Sequence, residues 1–161
     1  MEIKASLKKR ILGVKLNMQG GVFLIIGIGT DIVEIKRIEK ALSRNPNFIY
    51  KLFCKNEIEY LKSRNMRPEF VAGKFAAKEA VAKAMGTGFR GFDFNEIEID
   101  KNVLGKPIVI LRGKAKKMDR KWGNYKIHLS ISHSKENAIA YAILEGIEDG
   151  NSSCRANEEN R

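Results

Sequence analysis

Three residues of this chain have the types and spacing that acid–base or metal chemistry needs. Glu79 and Lys83 lie four residues apart, so on a helix they share one face. Such a pair is usually a surface salt bridge, but the alanines and Phe75 around it predict packing on several sides. A buried carboxylate beside a lysine can bind a metal or act as base and acid. Asp31 ends an apolar strand, where a carboxylate is either capped by local N–H groups or a ligand for a hard cation.

Two shorter segments carry groups that could contact a phosphate. In Gly86-Thr87-Gly88 the glycines let backbone amides approach an anion and the threonine adds a hydroxyl, although a simple helix stop is the alternative. Ser130-Ile131-Ser132-His133 ends a strand pattern that puts both serines on one face. Its histidine could bind a phosphate or shuttle protons, or be an ordinary turn residue. No third residue marks a Ser-His-Asp triad.

Positive charge is spread through the chain rather than confined to its ends. The formal net charge is +11, with +4 in residues 1–23 and −3 in residues 145–161, so the remainder carries +10. A domain this basic attracts an anionic partner: nucleic acid, a phosphorylated ligand, an acidic protein or a membrane surface. The first predicted helix contributes Lys36, Arg37, Lys40 and Arg44, which form either a solvated face or a docking surface for an acidic partner.

The pattern of apolar residues predicts the elements that must position these groups. An isoleucine-rich strand over 23–32 precedes helices over 33–44, 48–64 and 68–85, the last with Pro68 in its first turn and Gly86 as a stop. Strands follow over 96–100, 107–111, 126–132 and 138–145, with a turn at 105–107 and a short basic helix over 113–122. This order favours an α+β fold, with a largely antiparallel sheet packed against a long central helix.

Length and composition exclude several classes of protein. The 161 residues fit one domain, which we expect at 23–145, between a flexible basic extension (1–22) and a disordered tail (146–161). No apolar run reaches the ~20 residues of a membrane span. Two cysteines are too few for a disulfide scaffold and are expected to stay reduced in a cytoplasmic protein. With only two histidines, any metal should be a hard, oxygen-liganded cation.

Taken together, these segments resemble the holo-acyl-carrier-protein synthases, the short bacterial type of 4′-phosphopantetheinyl transferase. The resemblance covers about residues 24–145. Each motif is weak alone, but four in the right order and spacing are specific. Lys74 stands where the family often has arginine, which keeps the charge but loses the planar fork. The matching segments are GIGTDI (27–32) with Glu34 and Arg37, FVAGKFAAKEAVAKAMGTG (70–88), GKP (105–107) and HLSISH (128–133), followed by Ala140 and Ala142.

The resemblance implies a reaction and a role for each group. A serine hydroxyl of apo-acyl carrier protein attacks the β-phosphate of coenzyme A, the 4′-phosphopantetheine arm moves to the serine, and 3′,5′-ADP leaves. Asp31 and Glu79 would hold Mg²⁺, or alternatively Mn²⁺, and Glu79 or a metal-bound water would take the serine proton. Lys83 would stabilise or protonate the leaving phosphate. The residues lining the coenzyme A site would be Lys74, Gly86, Thr87, Gly88 and His133.

The resemblance also implies partners and an assembly. Lys36, Arg37 and Arg44 would meet the acidic carrier protein, and the enzyme would be a homotrimer in fatty acid biosynthesis with active sites at its subunit interfaces. It implies neither nucleic-acid nor membrane binding. One competing hypothesis is a basic nucleic-acid-binding module without enzyme activity, although aromatic residues are few (8%) and not interleaved with basic ones. Another is a carrier-protein-binding subunit that has lost activity, against which the intact Asp31, Glu79 and Lys83 argue.

Overall fold

The structure of the chain, a computed structural model, describes residues 22–148, with side chains over 24–146. The expectations for residues 1–21 and for the tail beyond Glu148 lie outside these described residues. Three short 3₁₀ segments lie at Pro46–Phe48, Phe94–Glu96 and Met118–Lys121. The strands and helices are β1 (Val22–Glu34), α1 (Ile35–Arg44), α2 (Ile49–Leu52), α3 (Lys55–Ser63), α4 (Pro68–Ala84), β2 (Ile97–Lys101), β3 (Pro107–Leu111), α5 (Gly113–Lys117), β4 (Asn124–His133) and β5 (Asn137–Glu148).

The long helix α4 is the centre of the fold. Pro68 occupies its first turn, where the missing N–H costs nothing, and alanines over the next four turns allow other elements to approach closely. It packs against β5 and β4 on one side and also against α1 and β2. Most of its residues are buried, including two lysines, Lys74 and Lys78. The prediction of a long central helix over 68–85 is confirmed to within one residue.

The strands form two sheets, where one largely antiparallel sheet was predicted. The first has the order β1-β5-β4 and the second pairs β2 with β3. The pairs β4–β5 and β2–β3 are antiparallel, with Leu129 opposite Ala142 in the first and Ile99 opposite Val109 in the second. The α+β class is therefore confirmed. Strand β5 continues to Glu148, three residues beyond the predicted domain boundary at 145.

Strand β1 lies directly against the backbone of α4 because two glycines leave room for it. A Cβ atom at Gly29 would come 2.0 Å from the carbonyl oxygen of Ala80, and one at Gly27 would come 2.0 Å from that of Ala84. Any larger residue would have to push the strand from the helix. This contact places Asp31, two residues after Gly29, beside the last turns of α4 and so beside Glu79 and Lys83.

The predicted helix over 48–64 is interrupted at Phe53 and Cys54, which are both extended. A carboxylate explains the interruption, because Glu57 accepts a hydrogen bond from the backbone N–H of Cys54 at 3.0 Å and so starts α3 there. The predicted helix over 33–44 starts two residues later than expected. Residues 33 and 34 continue β1, and the N–H of Ile35 donates to the carbonyl of Glu136 at 2.8 Å.

The outer face of the three-stranded sheet is apolar and uncovered by the described residues. Along β1 the side chains alternate, so that Val33 faces α4 while Ile28 and Ile32 are 53% and 65% exposed. Strand β5 continues this face with Ile139 and Tyr141, both about half exposed. Contiguous exposed apolar residues on a sheet indicate an interaction surface. Within the described part of the chain, no helix is long and apolar enough to cross a membrane.

Candidate active site

Asp31 and Lys83 form an ion pair at the junction of β1 and α4. The Lys83 Nζ donates to Asp31 Oδ1 at 2.8 Å and to the carbonyl oxygen of Thr30 at 2.9 Å. The lysine side chain is 49% exposed and that of Asp31 17%, so the pair opens to solvent from one side. Glu79 lies one helical turn before Lys83 on the same face of α4. The structure thus brings together the three residues that the sequence singled out for chemistry.

Glu79 is held in an unfavourable environment for a negative charge. Burial raises the pKa of its carboxyl, the nearby charge of Asp31 raises it further, and Lys83 opposes both effects. A divalent cation between the two carboxylates would remove this repulsion, and Mg²⁺ is commonly held by one or two carboxylates together with substrate phosphates and waters. The donor set fits such an ion. No group of three or more His, Cys, Asp or Glu side chains able to hold a metal occurs among the described residues.

The glycine turn after α4 mainly closes the helix. The N–H groups of Gly86 and Gly88 donate to the carbonyls of Lys83 and Ala82 at 2.9 and 3.1 Å, and both glycines have positive φ. Their amides are therefore already used, which favours the helix-stop alternative over a phosphate cradle built from these two groups. The Thr87 hydroxyl donates to the Gly88 carbonyl at 3.0 Å, and its contact with a phosphate stays a prediction.

A stack of aromatic rings, which the sequence did not indicate, packs beside Glu79 and the glycine turn. Phe75, one turn before Glu79, stacks on Phe94 with ring centroids 5.5 Å apart, and Phe94 stacks on Phe89 at 3.6 Å. Phe89 directly follows the glycine turn, so the stack fixes the turn against the helix face that carries Glu79. The sequence pattern identifies these phenylalanines only as core residues. It does not show that they stack on one another, because they lie in three separate segments of the chain.

Lys74 and His133 lie on a cavity of about 230 Å³ on another side of α4. Lys74 is buried; its Nζ donates to the carbonyl of Ile99 and lies 4.9 Å from the centroid of the Tyr60 ring. The His133 ring packs edge-on against Phe70 at 6.4 Å. Lys101, whose Nζ donates to the Tyr60 hydroxyl at 2.8 Å, adds a cation that no sequence pattern indicated. Three basic side chains and two carboxylates, those of Glu69 and Asp100, thus line the cavity together with apolar side chains.

A buried ionic cluster holds α3, α4 and β2 together. The Glu57 carboxylate is 2.7 Å from the Nζ of Lys78 and 3.9 Å from that of Lys74, and it accepts the Ile99 N–H at 3.1 Å. Lys78 donates in addition to the carbonyl of Phe94 at 2.9 Å. Burial lowers the pKa of both lysines, while the charge of Glu57 opposes that shift. The charged forms of Lys74 and Lys78 are therefore stabilised by the carboxylate of Glu57.

Within one chain, the predicted site residues form two separate groups. Lys74 and Lys83 are nine residues apart, which on a helix is about 14 Å along the axis and half a turn around it. The Asp31–Glu79–Lys83 group and the cavity of Lys74 and His133 therefore lie on different faces of α4. A joint site for all of them requires a substrate that spans both faces or a second chain.

The basic residues predicted to meet a partner are exposed on α1. Ile38 is buried and anchors the helix, while Lys36, Arg37 and Arg44 point to solvent. None of these three forms a salt bridge with another described residue. Their charges are available to an acidic partner, and that role stays a prediction.

The fold and the site define a class of protein, and comparison with known families agrees. Residues 27–142 match the 4′-phosphopantetheinyl transferase superfamily, and the chain belongs to it. The match covers well over half of the chain and includes Asp31, Glu79, Lys83 and His133. The expectation of a transferase is thereby confirmed. The alternative of a nucleic-acid-binding module finds no support in these comparisons.

The similar proteins are holo-acyl-carrier-protein synthases. One from Clostridium novyi is 66% identical over 138 residues, which cover 86% of this chain and all of the relative. A crystal structure of a Bacillus anthracis holo-(acyl-carrier-protein) synthase in complex with CoA (3′,5′-ADP) is 42% identical, covers 76% of this chain and 97% of that one, and has a TM-score of 0.63. An acyl carrier protein synthase from Plasmodium yoelii with ADP bound is 43% identical, covers 78% and 98%, and has a TM-score of 0.71.

Proposed function

We propose that this enzyme transfers the 4′-phosphopantetheine group of coenzyme A to a serine hydroxyl of apo-acyl carrier protein. The observation that carries this function is the grouping of Asp31, Glu79 and Lys83 where β1 meets α4. Relatives of this chain bear the name holo-acyl-carrier-protein synthase, and a similar structure was solved with CoA (3′,5′-ADP). We expect the enzyme to act in the cytoplasm on carrier proteins of fatty acid biosynthesis.

The chemistry requires one bond to form and one to break at the β-phosphorus. The serine oxygen attacks that phosphorus, the bond to the bridging oxygen breaks, and 3′,5′-ADP leaves with the bonding electrons. Phosphoryl transfer depends mainly on positioning and charge neutralisation. Asp31 and Glu79 would hold Mg²⁺ or Mn²⁺, which when bound offsets charge on the pyrophosphate. Either Glu79 or a water held by the cation would take the serine proton. Lys83 is half exposed and neutralises the leaving phosphate.

Coenzyme A would reach from this group to the cavity lined by Lys74 and His133. The apolar side chains of this cavity suit a nucleotide base, and Lys74, Lys101 and His133 would meet its phosphates, although Glu69 and Asp100 also line the cavity. The exposed apolar face of β1 and β5 supports assembly of several copies. We therefore propose a homotrimer in which one subunit supplies Asp31, Glu79 and Lys83 and its neighbour supplies Lys74 and His133. This assembly would bring the two groups of site residues together and cover the exposed apolar face.

This arrangement predicts that two inactive variants restore each other. Asp31→Asn and His133→Ala should each transfer poorly alone. When they are mixed and the subunits exchange, some interfaces combine an intact Asp31 with an intact His133, so a fraction of the wild-type rate should return. The control is each single variant taken through the same exchange procedure alone, where no activity should return. If the mixture stays as inactive as its parts after proven exchange, both groups act within one chain.

A direct test of the reaction is release of its small product. Incubation with apo-acyl carrier protein, coenzyme A and Mg²⁺ should release one 3′,5′-ADP for each carrier protein, measured by chromatography. Omitting the carrier protein should abolish the release, because a transferase needs the carrier serine as acceptor. Without the carrier, only water could accept the phosphopantetheine group. Release that is independent of the carrier would indicate a hydrolase and contradict the proposal.

A further inference from the structure

The segment 112–121, which we call the basic segment, is a second concentration of positive charge on this protein. It contains six basic residues and one acidic residue in ten positions. It folds as α5 followed by the 3₁₀ turn Met118–Lys121, with Ala115 buried and Met118 packed against the core. These two residues anchor the segment, so its basic side chains lie on the outside.

Only part of this charge is compensated by other residues that the structure describes. Arg112 pairs with the buried carboxylate of Glu98. Lys114 lies beside Glu96, which accepts its backbone N–H at 2.9 Å. The one acidic residue of the segment, Asp119, contacts the Tyr125 hydroxyl at 3.5 Å.

Four further cations of the basic segment lie on its exposed surface. Lys116, Lys117, Arg120 and Lys121 are exposed, and none has a salt-bridge partner among the described residues. Like charges three or four positions apart on a helical surface repel one another and destabilise it slightly. No carboxylate of the described residues offsets this repulsion, and the grouping therefore favours an anionic partner.

The surroundings of the four cations favour an acidic protein over a nucleic acid. Single strands are bound by aromatic rings free to stack on bases. The nearby Trp122 and Tyr125 are partly buried and packed edge to face, with centroids 5.3 Å apart, so they offer no such platform. Three of the four cations are lysines, which act as hydrated point charges rather than as bidentate forks. Such a surface suits diffuse negative charge.

The basic segment is connected to the region of the proposed catalytic group through the aromatic stack. Segment Phe94–Glu96 contacts α5, and Phe94 stacks on Phe75 and Phe89, which adjoin Glu79 and the glycine turn. The helix α1, by contrast, begins at Ile35 next to His133, on the side of the nucleotide cavity. The exposed positive charge therefore lies on two separate elements, α1 and the basic segment.

We infer that the basic segment is a second electrostatic surface for the acidic carrier protein, in addition to α1, and that it accelerates association. This inference rests on the proposed function, because that function supplies the acidic protein substrate. Clustered charge acts mainly on the association rate and loses its effect as salt screens it. Lys116, Lys117 and Lys121 should therefore matter for encounter and not for the chemical step or for coenzyme A.

The test compares two triple variants that remove the same charge from different places. Lys116→Gln/Lys117→Gln/Lys121→Gln changes the basic segment. Lys51→Gln/Lys62→Gln/Lys126→Gln changes three exposed lysines elsewhere that form no salt bridge with a described residue. The association rate constant with apo-acyl carrier protein is measured at low and at high salt, independently of turnover. A melting curve checks that each variant is folded.

The basic-segment variant should associate about tenfold more slowly at low salt, the order of effect that steering by local charge produces. The difference should shrink at high salt, and KM for coenzyme A should stay at the wild-type value. Equal slowing of both variants would mean that only net charge matters, and no slowing would mean that the segment plays no part; either overturns the inference. Binding to phosphatidylglycerol vesicles that only the segment variant loses, with unchanged carrier association, would assign it to a membrane instead. Absence of transfer by the wild type would overturn the proposed function, whatever the association rates.

Discussion

Asp31→Asn and Glu79→Gln are each expected to lower kcat for phosphopantetheine transfer by roughly 10²–10⁴-fold, the range typical of lost acid–base groups. Both substitutions keep the size of the side chain and remove its charge. Without either carboxylate the site loses half of the negative charge available to a divalent cation, and without Glu79 it also loses one of the two proposed bases. The double variant should be little worse than the single ones, because residues that act as a unit are not additive. Initial rates measured at saturating substrates check this.

The control for these variants is Glu59→Gln. Glu59 is exposed on α3 and forms only a loose ion pair with Lys55 at 3.9 Å. The transfer rate of the Glu59→Gln variant should therefore equal that of the wild type. Melting curves of the Asp31 and Glu79 variants should stay close to that of the wild type, since removing one carboxylate relieves the repulsion between them. Wild-type rates in both variants would show that the chemistry lies elsewhere. A loss of rate that only accompanies unfolding would remove the evidence for a catalytic role.

Glu57→Ala is expected to destabilise the enzyme by about 3–5 kcal/mol, the cost of leaving a buried charge without its partner. Glu57 is 1% exposed and Lys78 is fully buried, and the carboxylate is the only acidic group within 4 Å of Lys78 Nζ among the described residues. The substitution also removes the hydrogen-bond acceptor of the N–H groups of Cys54 and Ile99. This is a large share of the 5–15 kcal/mol by which ordinary domains are stable. Chemical unfolding at a fixed protein concentration measures the loss.

Two further variants make the origin of that loss clear. Glu59→Ala on the same helix removes an exposed carboxylate and should cost less than about 1 kcal/mol, because exposed pairs contribute little. Glu57→Gln keeps hydrogen-bonding atoms but removes the charge, so it should lie between Glu57→Ala and the wild type. If Glu57→Ala were as stable as Glu59→Ala, the cluster of Glu57, Lys74 and Lys78 would not hold the three elements together.

The sequence was sufficient to predict most elements and the central group of the site, because the relevant signals are local. Helix α4 follows from Pro68, its alanines and Gly86, and the shared face of Glu79 and Lys83 follows from a spacing of four. Placing Asp31 beside them depended on the family resemblance. Its physical reason, the close approach of Gly29 to Ala80, is a contact between segments fifty residues apart. Spacing along the chain cannot show such a contact.

Other features were missed because burial and distant partners decide them. Lys78 reads as an ordinary charged residue of a helix, and only the fold reveals that it is buried against Glu57. The same carboxylate starts α3 and so interrupts the predicted helix over 48–64. Lys101, at the end of β2, and Tyr60, on α3, join the cavity of Lys74. The sequence indicated the pairing of β2 with β3 but not the position of β2 against α4.

The proposed transfer of 4′-phosphopantetheine from coenzyme A to a carrier protein, with the help of a divalent cation, is tested most directly by a mass measurement. The intact mass of apo-acyl carrier protein is recorded after incubation with enzyme, coenzyme A and Mg²⁺, with and without EDTA. We expect a gain of one phosphopantetheine group that EDTA abolishes and that added Mg²⁺ restores. An unchanged mass, with folded enzyme and a carrier that another transferase can modify, would contradict the claim. A gain that persists in EDTA would contradict the proposed role of Asp31 and Glu79 as cation ligands.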